Sequence, residues 1–208
     1  LNGKFDDAIG LFKQAAAINP KWPVPYTNMA ATYTRQQKDD DAVNVLKSGV
    51  GATEGAPALI LALASTYERM GKVDDAIAQY ESALEKAPDA LVVANNLAML
   101  LVDHKPDSLE RAKKLIGPLK EANNPAFLDT VGWVQFKTGD IDAAIPNLEQ
   151  AVRAAPDAGV LQYHLGMAYM KKGNKDGALA ALKKAVESKE PYTGLDEAKG
   201  ALKELGAG

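Results

Sequence analysis

The chain repeats itself, and this constrains its fold more than any other feature. Ala recurs at positions 8, 42, 76, 112, 144 and 178, with spacings of 34, 34, 36, 32 and 34 residues. The surrounding frame returns with it. Gly3, Phe5, Ile9, Phe12, Ala15 and Pro20 align with Gly71, Val73, Ile77, Tyr80, Ala83 and Pro88, and again with Gly139, Ile141, Ile145, Leu148, Ala151 and Pro156. A shorter version follows as Gly173, Leu179, Leu182 and Ala185. The 36 followed by 32 marks two extra residues in the stretch from His104 to Ser108, with the register recovered near Asn123, Asn124 and Pro125. A fixed period in this range indicates small units that cannot bury their apolar faces alone and must stack on copies of themselves.

Each unit carries two apolar stripes at helical spacing. Leu59, Leu63, Tyr67 and Met70 make one; Val73, Ile77, Tyr80 and Leu84 make the next. Between them lies Gly71-Lys72-Val73-Asp74, where the glycine suits a left-handed helix end and Asp74 is expected to cap the following helix. Ala64, Ala76 and Ala83 are small where helices must approach closely. Pro88 stops the second helix, because proline disfavours helical geometry in the residue before it. The spacing predicts helices at 5–18, 24–37, 40–48, 57–70, 74–87, 91–102, 108–121, 126–138, 141–155, 159–172 and 176–188, with a last one at 194–205. Pro118 and Pro146 fall inside predicted helices and should bend them. The stretch from Gly49 to Gly55 reads as the weak joint.

A 34-residue period in this frame resembles the tetratricopeptide repeat (TPR), over nearly the whole chain. The resemblance implies an all-α, right-handed superhelical α-solenoid of helix pairs spanning 1–208. Its parts are a second half-repeat at 1–20, repeats at 23–56, 57–90, 91–124, 125–158 and 159–192, and a capping helix at 194–205. The first unit lacks its first helix, so the sequence reads as a piece of a longer protein. Phe5 and Ile9 then form an open edge, suited to weak self-association.

Composition narrows the function by exclusion. Hydrophobic residues are 47% and charged residues 25%, ordinary for a folded domain and too apolar for disorder. The net charge of −3 comes without the basic block that nucleic acid or an anionic membrane would need. No apolar run approaches the ~20 residues that span a bilayer. Cysteine is absent, which removes disulfides, thiolate zinc sites and a Cys nucleophile. His104 and His164 are the only histidines, about 60 residues apart, and neither sits in a metal-binding spacing. His104, beside the inserted residues, reads as solvated. The acidic groups Asp6-Asp7, Asp39-Asp40-Asp41 and Asp74-Asp75 each fall near the start of a second helix, where carboxylates meet unpaired N–H groups. The expectation is a non-enzymatic chain with no cofactor and no metal.

In TPR proteins the first helix of each pair lines the concave face. Carried over by register, that face holds Thr27, Ala31, Thr34 and Arg35, then Leu61, Ser65, Glu68 and Arg69, then Asn95, Met99, Val102 and Asp103. It continues with Asp129, Trp133, Phe136 and Lys137, and ends with Tyr163, Met167, Met170 and Lys171. The binding surface is therefore expected at Leu61, Arg69, Asn95, Met99, Asp129, Trp133, Phe136, Lys137, Tyr163, Met167 and Met170. So many large apolar groups on a solvent-facing row imply something that covers them.

Two known TPR binding modes transfer poorly. The chaperone clamp for C-terminal carboxylates uses Lys, Asn, Asn, Lys and Arg where this chain has Thr27, Ala31, Ala62, Val92 and Asn96, so its cations are missing. The asparagine ladder of sugar-transferring TPR enzymes finds Asn28 and Asn96, interrupted by Ala62, Thr130 and His164.

The run Leu128-Asp129-Thr130-Val131-Gly132-Trp133, with Gly139-Asp140, Ala144-Ile145-Pro146 and upstream Ala94-Asn95-Asn96-Leu97-Ala98, is similar to the C-terminal repeats of bacterial TPR lipoproteins of exopolysaccharide and PEP-CTERM systems. That likeness implies a periplasmic or envelope-associated protein; without it the compartment would be cytoplasmic. The expected function is a protein-interaction scaffold that holds a peptide or partner helix in its groove. A self-assembling module, or the substrate-recognition arm of an enzyme with its catalytic domain elsewhere, are the alternatives.

Overall fold

A computed structural model of the chain describes residues 2–122 and 124–206. Asn123, part of the expected register recovery, lies outside the described residues, as do Leu1, Ala207 and Gly208 at the ends of the expected solenoid. The fold is all-α, and no strand occurs among the described residues. In order the helices are α1 (Asn2–Ile18), α2 (Pro23–Arg35), α3 (Asp39–Ala52), α4 (Pro57–Arg69), α5 (Val73–Lys86), α6 (Leu91–His104), α7 (Leu109–Glu121), α8 (Pro125–Lys137), α9 (Ile141–Ala154), α10 (Gly159–Lys172), α11 (Lys175–Glu187) and α12 (Leu195–Glu204). A short 3-10 turn, Pro106–Ser108, takes up the two inserted residues.

The chain divides into two compact units, 1–97 and 98–208. In the first, α1 packs on α2, α2 on α3, α3 on α4, and α4 on α5, with α2 also touching α4. In the second, α7 packs on α8, and the same succession runs on through α12, with α8 meeting α10 and α10 meeting α12.

The recurring small residue has its reason at the helix contacts. Ala42, Ala76, Ala112, Ala144 and Ala178 are all completely buried, while Ala8 on the outermost helix stays partly exposed. A second series, Ala30, Ala64, Ala98, Gly132 and Gly166, keeps the same 34-residue period on the first helices. Its last two members are glycine because their partners come closer. A Cβ on Gly132 would lie 2.5 Å from Leu148 Cγ, and one on Gly166 would lie 2.6 Å from Leu182 Cγ.

Turn chemistry sets the helix ends. Gly71, Gly139 and Gly173 take positive φ after α4, α8 and α10, as expected for Gly71; at the matching turn after α2 the residue is Gln37, at φ 60. Pro23, Pro57 and Pro125 open α2, α4 and α8, where the missing N–H is not needed. Asn124 Oδ1 accepts from Ala126 N, Asp140 Oδ1 from Ala143 N, and Asn174 Oδ1 from Gly177 N.

Some local expectations need correcting. Asp74 is not the cap of α5. Lys72 holds that place, and Asp74 sits inside the first turn, where its charge opposes the positive end of the helix dipole. Asp6 and Asp7 lie within α1 rather than at its start, because the helix begins at Asn2. The joint at 49–55 is half helix, since α3 continues to Ala52. Gly49 is buried against Tyr26, where a Cβ would meet the ring at 2.7 Å, so its lack of a side chain serves packing. Thr53 Oγ1 then donates to Gly49 O at 2.8 Å, and Lys86 Nζ donates to Glu54 O at 3.1 Å. Pro118 and Pro146 lie inside α7 and α9, as expected.

Candidate binding site

The expected contact residues fall into two groups. Leu61, Arg69 and Asn95 belong to the first unit. Met99, Asp129, Trp133, Phe136, Lys137, Tyr163, Met167 and Met170 belong to the second.

In the first unit this face is open and polar. Ser65, Glu68 and Arg69 are exposed on α4, with Leu61 half-buried one turn before them. Arg69 is tethered to the preceding repeat: its guanidinium donates to Asp39 Oδ1 at 2.6 Å and to Thr34 Oγ1 at 3.1 Å. Tyr80, rising from α5 between the first helices, donates its hydroxyl to Glu68 Oε2 at 3.1 Å and accepts from Asn96 Nδ2 at 3.4 Å. Burial raises the pKa of that phenol above its ordinary value, the Ser65 hydrogen bond partly opposes the shift, and the charge of Glu68 adds to it. Asn95 Nδ2 donates to Asn96 Oδ1 at 3.3 Å, whereas Asn95 Oδ1 is buried with no hydrogen-bond partner.

In the second unit the same register positions are closed. Trp133 is only 2% exposed and Tyr163 only 3%, and Asp129 is buried as well. These three were expected on an open surface, and the structure corrects that. The indole is held on every side. Its Nε1–H donates to Asp103 Oδ1 at 2.9 Å. Phe136 stacks on it with centroids 4.9 Å apart, His164 stacks at 3.9 Å, and Tyr163 leans against it at 5.5 Å. Lys137 Nζ stands 4.8 Å from the centre of the same ring. Phe136 also packs on the core cluster of Ala144, Leu148, Leu165 and Ala168. Met99, Met167 and Met170 are half-buried.

The cover over Tyr163 is the segment leading into α12. Gly194, at φ 104, passes so close that a Cβ there would lie 2.3 Å from the Tyr163 ring. One helical turn on, Glu197 accepts the Tyr163 hydroxyl. Burial, then this hydrogen bond and the carboxylate charge, push the Tyr163 hydroxyl far above the ordinary phenol range.

His164, read in the sequence only as an interruption of an asparagine series, is 3% exposed, and its Nδ1 lies 2.8 Å from Asp129 Oδ1. The signal was available: Asp129 and His164 occupy neighbouring register positions of successive first helices, which stacking brings together. Between the end of α6, α8, α10 and α12 remains a cavity of about 100 Å³. Buried Trp133, Tyr163 and His164 and exposed Asp103, Lys137 and Glu197 line it. His104 is exposed, as expected, and also borders the cavity. No group of three or more His, Asp or Glu side chains placed to hold a metal ion occurs among the described residues.

Comparison with known proteins agrees with this architecture. Three tetratricopeptide-repeat family models match, at residues 1–65, 57–100 and 132–192, and the chain belongs to the tetratricopeptide-repeat family. Comparison with curated proteins gives no match. Among solved structures, a tetratricopeptide repeat protein from Parabacteroides merdae is 19% identical with a TM-score of 0.75, covering 99% of this chain and 81% of that one. The APC/C hetero-tetramer Cut9–Hcn1 gives a TM-score of 0.75 at 15% identity, covering 98% of this chain and 40% of that one. MamA of MSR-1 is 25% identical with a TM-score of 0.60, covering 85% of this chain and 98% of that one. The family and fold are those of a protein–protein interaction scaffold. No helix among the described residues is long and apolar enough to cross a membrane.

Proposed function

We propose that the chain holds a peptide or a partner helix along the first-helix face of its repeats, and that it does so as one part of a multiprotein assembly. The supporting observation is Asn95 Oδ1, buried on that face without a hydrogen-bond partner. Buried acceptors are nearly always satisfied, so an N–H from a bound segment is the natural complement. Ser65 and Glu68 would orient polar groups beside it, Leu61 would give apolar contact, and Arg69 would act as a braced edge. In the second unit Met99, Met167 and Met170 offer adaptable apolar surface for the same role. The run Leu128–Trp133 supports placing that assembly in a bacterial envelope.

The test is to pan a random-peptide library against the chain and rescreen the binders on Ser65→Arg and Asn95→Leu. Both substitutions alter the proposed face, and circular dichroism checks that helix content is kept. Binders should lose most of their affinity on these variants. Peptides that bind all three proteins equally would overturn the reading.

A second reading, self-association at α1, has its own support. Ile9, expected to be open, is buried against the neighbouring helix, but Leu11 is 64% and Ile18 86% exposed. Sedimentation should show association that disappears in Leu11→Glu/Ile18→Glu; a monomer at high concentration would end this reading.

A further inference from the structure

We propose that the cavity of the second unit is a receptor for one cationic side chain, the guanidinium of an arginine or the ammonium of a lysine, presented by a partner. This site is separate from the Asn95 face and requires only residues of α6, α8, α10 and α12.

His164 Nδ1 pairs with Asp129 Oδ1 at 2.8 Å in the wall of the cavity. His164 borders the cavity, whereas Asp129 does not. His164 is almost wholly buried. Asp103 spends one oxygen on the Trp133 indole and Glu197 one on the Tyr163 hydroxyl. Each carboxylate keeps a second oxygen that these bonds do not use. An acceptor-rich, anionic cavity favours a ligand made of donors and positive charge.

One wall of the cavity is aromatic, formed by Trp133 and Tyr163. Lys137 Nζ already stands over the Trp133 ring, so an ammonium is accommodated at the edge of this cavity. Lys137 is exposed and unbranched, so it can swing outward and give its place to an incoming cation. A guanidinium in the place of the Lys137 ammonium would add planar, forked donors for the two carboxylates.

A cavity of about 100 Å³ is small, on the scale of one side-chain head group. An anion would meet Asp103 and Glu197 and is disfavoured.

The test uses Trp133 as its own reporter. The chain has two tryptophans, and Trp22 is half-exposed outside this site, so Trp22→Phe leaves Trp133 as the single indole. Acetyl-Gly-Arg-Gly-amide and its citrulline counterpart, equal in shape but neutral, are titrated while Trp133 emission is followed. The arginyl peptide should bind on the order of ten-fold more tightly than the citrullinyl one. That preference should fall toward unity in Asp103→Asn, which keeps an acceptor for the indole, and in Glu197→Gln. Lys137→Met, which keeps the stem and removes the competing charge, should strengthen arginyl binding several-fold. Circular dichroism confirms folding, and Asp103→Asn decides the matter if Glu197→Gln does not fold. Equal binding of the two peptides, a preference that survives Asp103→Asn, or weaker binding in Lys137→Met would each overturn the proposal. None of these outcomes bears on Ser65 or Asn95, so the groove reading is judged independently.

Discussion

The first-helix faces of the two units carry the same register and opposite surfaces. On α4 the positions hold Leu61, Ser65, Glu68 and Arg69, and the last three are exposed. On α8 they hold Asp129, Trp133, Phe136 and Lys137, and the first two are buried. Backbone geometry does not make the difference, because both helices are 13 residues long and follow a proline start. Side-chain reach and available partners make it. Trp133 is long enough to meet His164 on the next first helix, and Asp103 takes its N–H, so the indole can be buried without an unsatisfied donor. Ser65 and Glu68 find only the Tyr80 hydroxyl and stay in water. A repeat register thus tells which residues face one way; it does not tell whether that face is open.

Truncating one large side chain on each face should separate the two units most clearly. Trp133→Ala removes a buried, multiply stacked ring and should cost ~3–5 kcal/mol of stability by chemical denaturation. Arg69→Ala, on the open face, should change stability by no more than ~0.5 kcal/mol, as exposed substitutions usually do. Equal small effects would show that the aromatic stack contributes little to the fold.

A smaller effect tests the close helix approach. Gly166→Ala places a methyl against Leu182 Cγ and the α11 backbone, and overpacking of this kind costs ~1–3 kcal/mol. At Ala64, the matched position in the first unit, the methyl is already accommodated and completely buried. Ala64→Gly should lose about 1 kcal/mol through cavity and helix propensity. If Gly166→Ala instead stabilises the protein, the neighbouring helices move apart more easily than their packing indicates.

Alkaline titration sharpens the contrast further. The Tyr163 and Tyr80 phenols are both raised by burial, and Tyr169 is pushed up to about 12 by burial and by Glu149. A phenol whose folded pKa lies above its unfolded value near 10 keeps its proton in the native state after the unfolded chain has lost it. Its contribution is complete below pH ~10 and fades as pH rises through the folded value. Stability should therefore fall steadily above pH ~10. Tyr163→Phe should lose less stability over that range than the parent chain, with tyrosinate absorbance tracking unfolding rather than preceding it. A phenol that titrates before the helices melt would show that Tyr163 is reached by water without opening the cover at Gly194.

Much of the fold was legible because the repeat is a packing rule written in small residues. The series from Ala42 to Ala178 marks one completely buried position on each second helix from α3 to α11, and Gly71 and Pro88 bracket α5 as the sequence implied. Errors arose where a residue's role depends on its neighbour across space. Gly49 looked like slack, and it is the gap into which Tyr26 fits. Trp133 and Tyr163 looked like an exposed row, since nothing in a 34-residue frame says that Asp103 and Glu197 will take their polar edges. The pairing of Asp129 with His164 could have been read from the register alone, being one position off a full repeat.

The smallest prediction concerns Gln37, which occupies in the first unit the turn that Gly139 and Gly173 occupy in the second. All three backbones are left-handed, at φ 60, 86 and 83 respectively. Glycine adopts this conformation without a Cβ clash, while a non-glycine residue is strained there by ~1 kcal/mol or more. Gln37→Gly relieves that strain but also gives the unfolded chain more freedom to lose, an opposing effect of ~0.4–1 kcal/mol. The net expectation is a gain of up to ~1 kcal/mol, seen as a higher denaturation midpoint with an unchanged slope. Gly173→Ala makes the converse change and should lower the midpoint. If Gln37→Gly lowers it too, the glutamine side chain must contribute more through its surroundings than the turn loses in strain. Gln36, whose buried Oε1 has no partner one residue before, would then be the place to look.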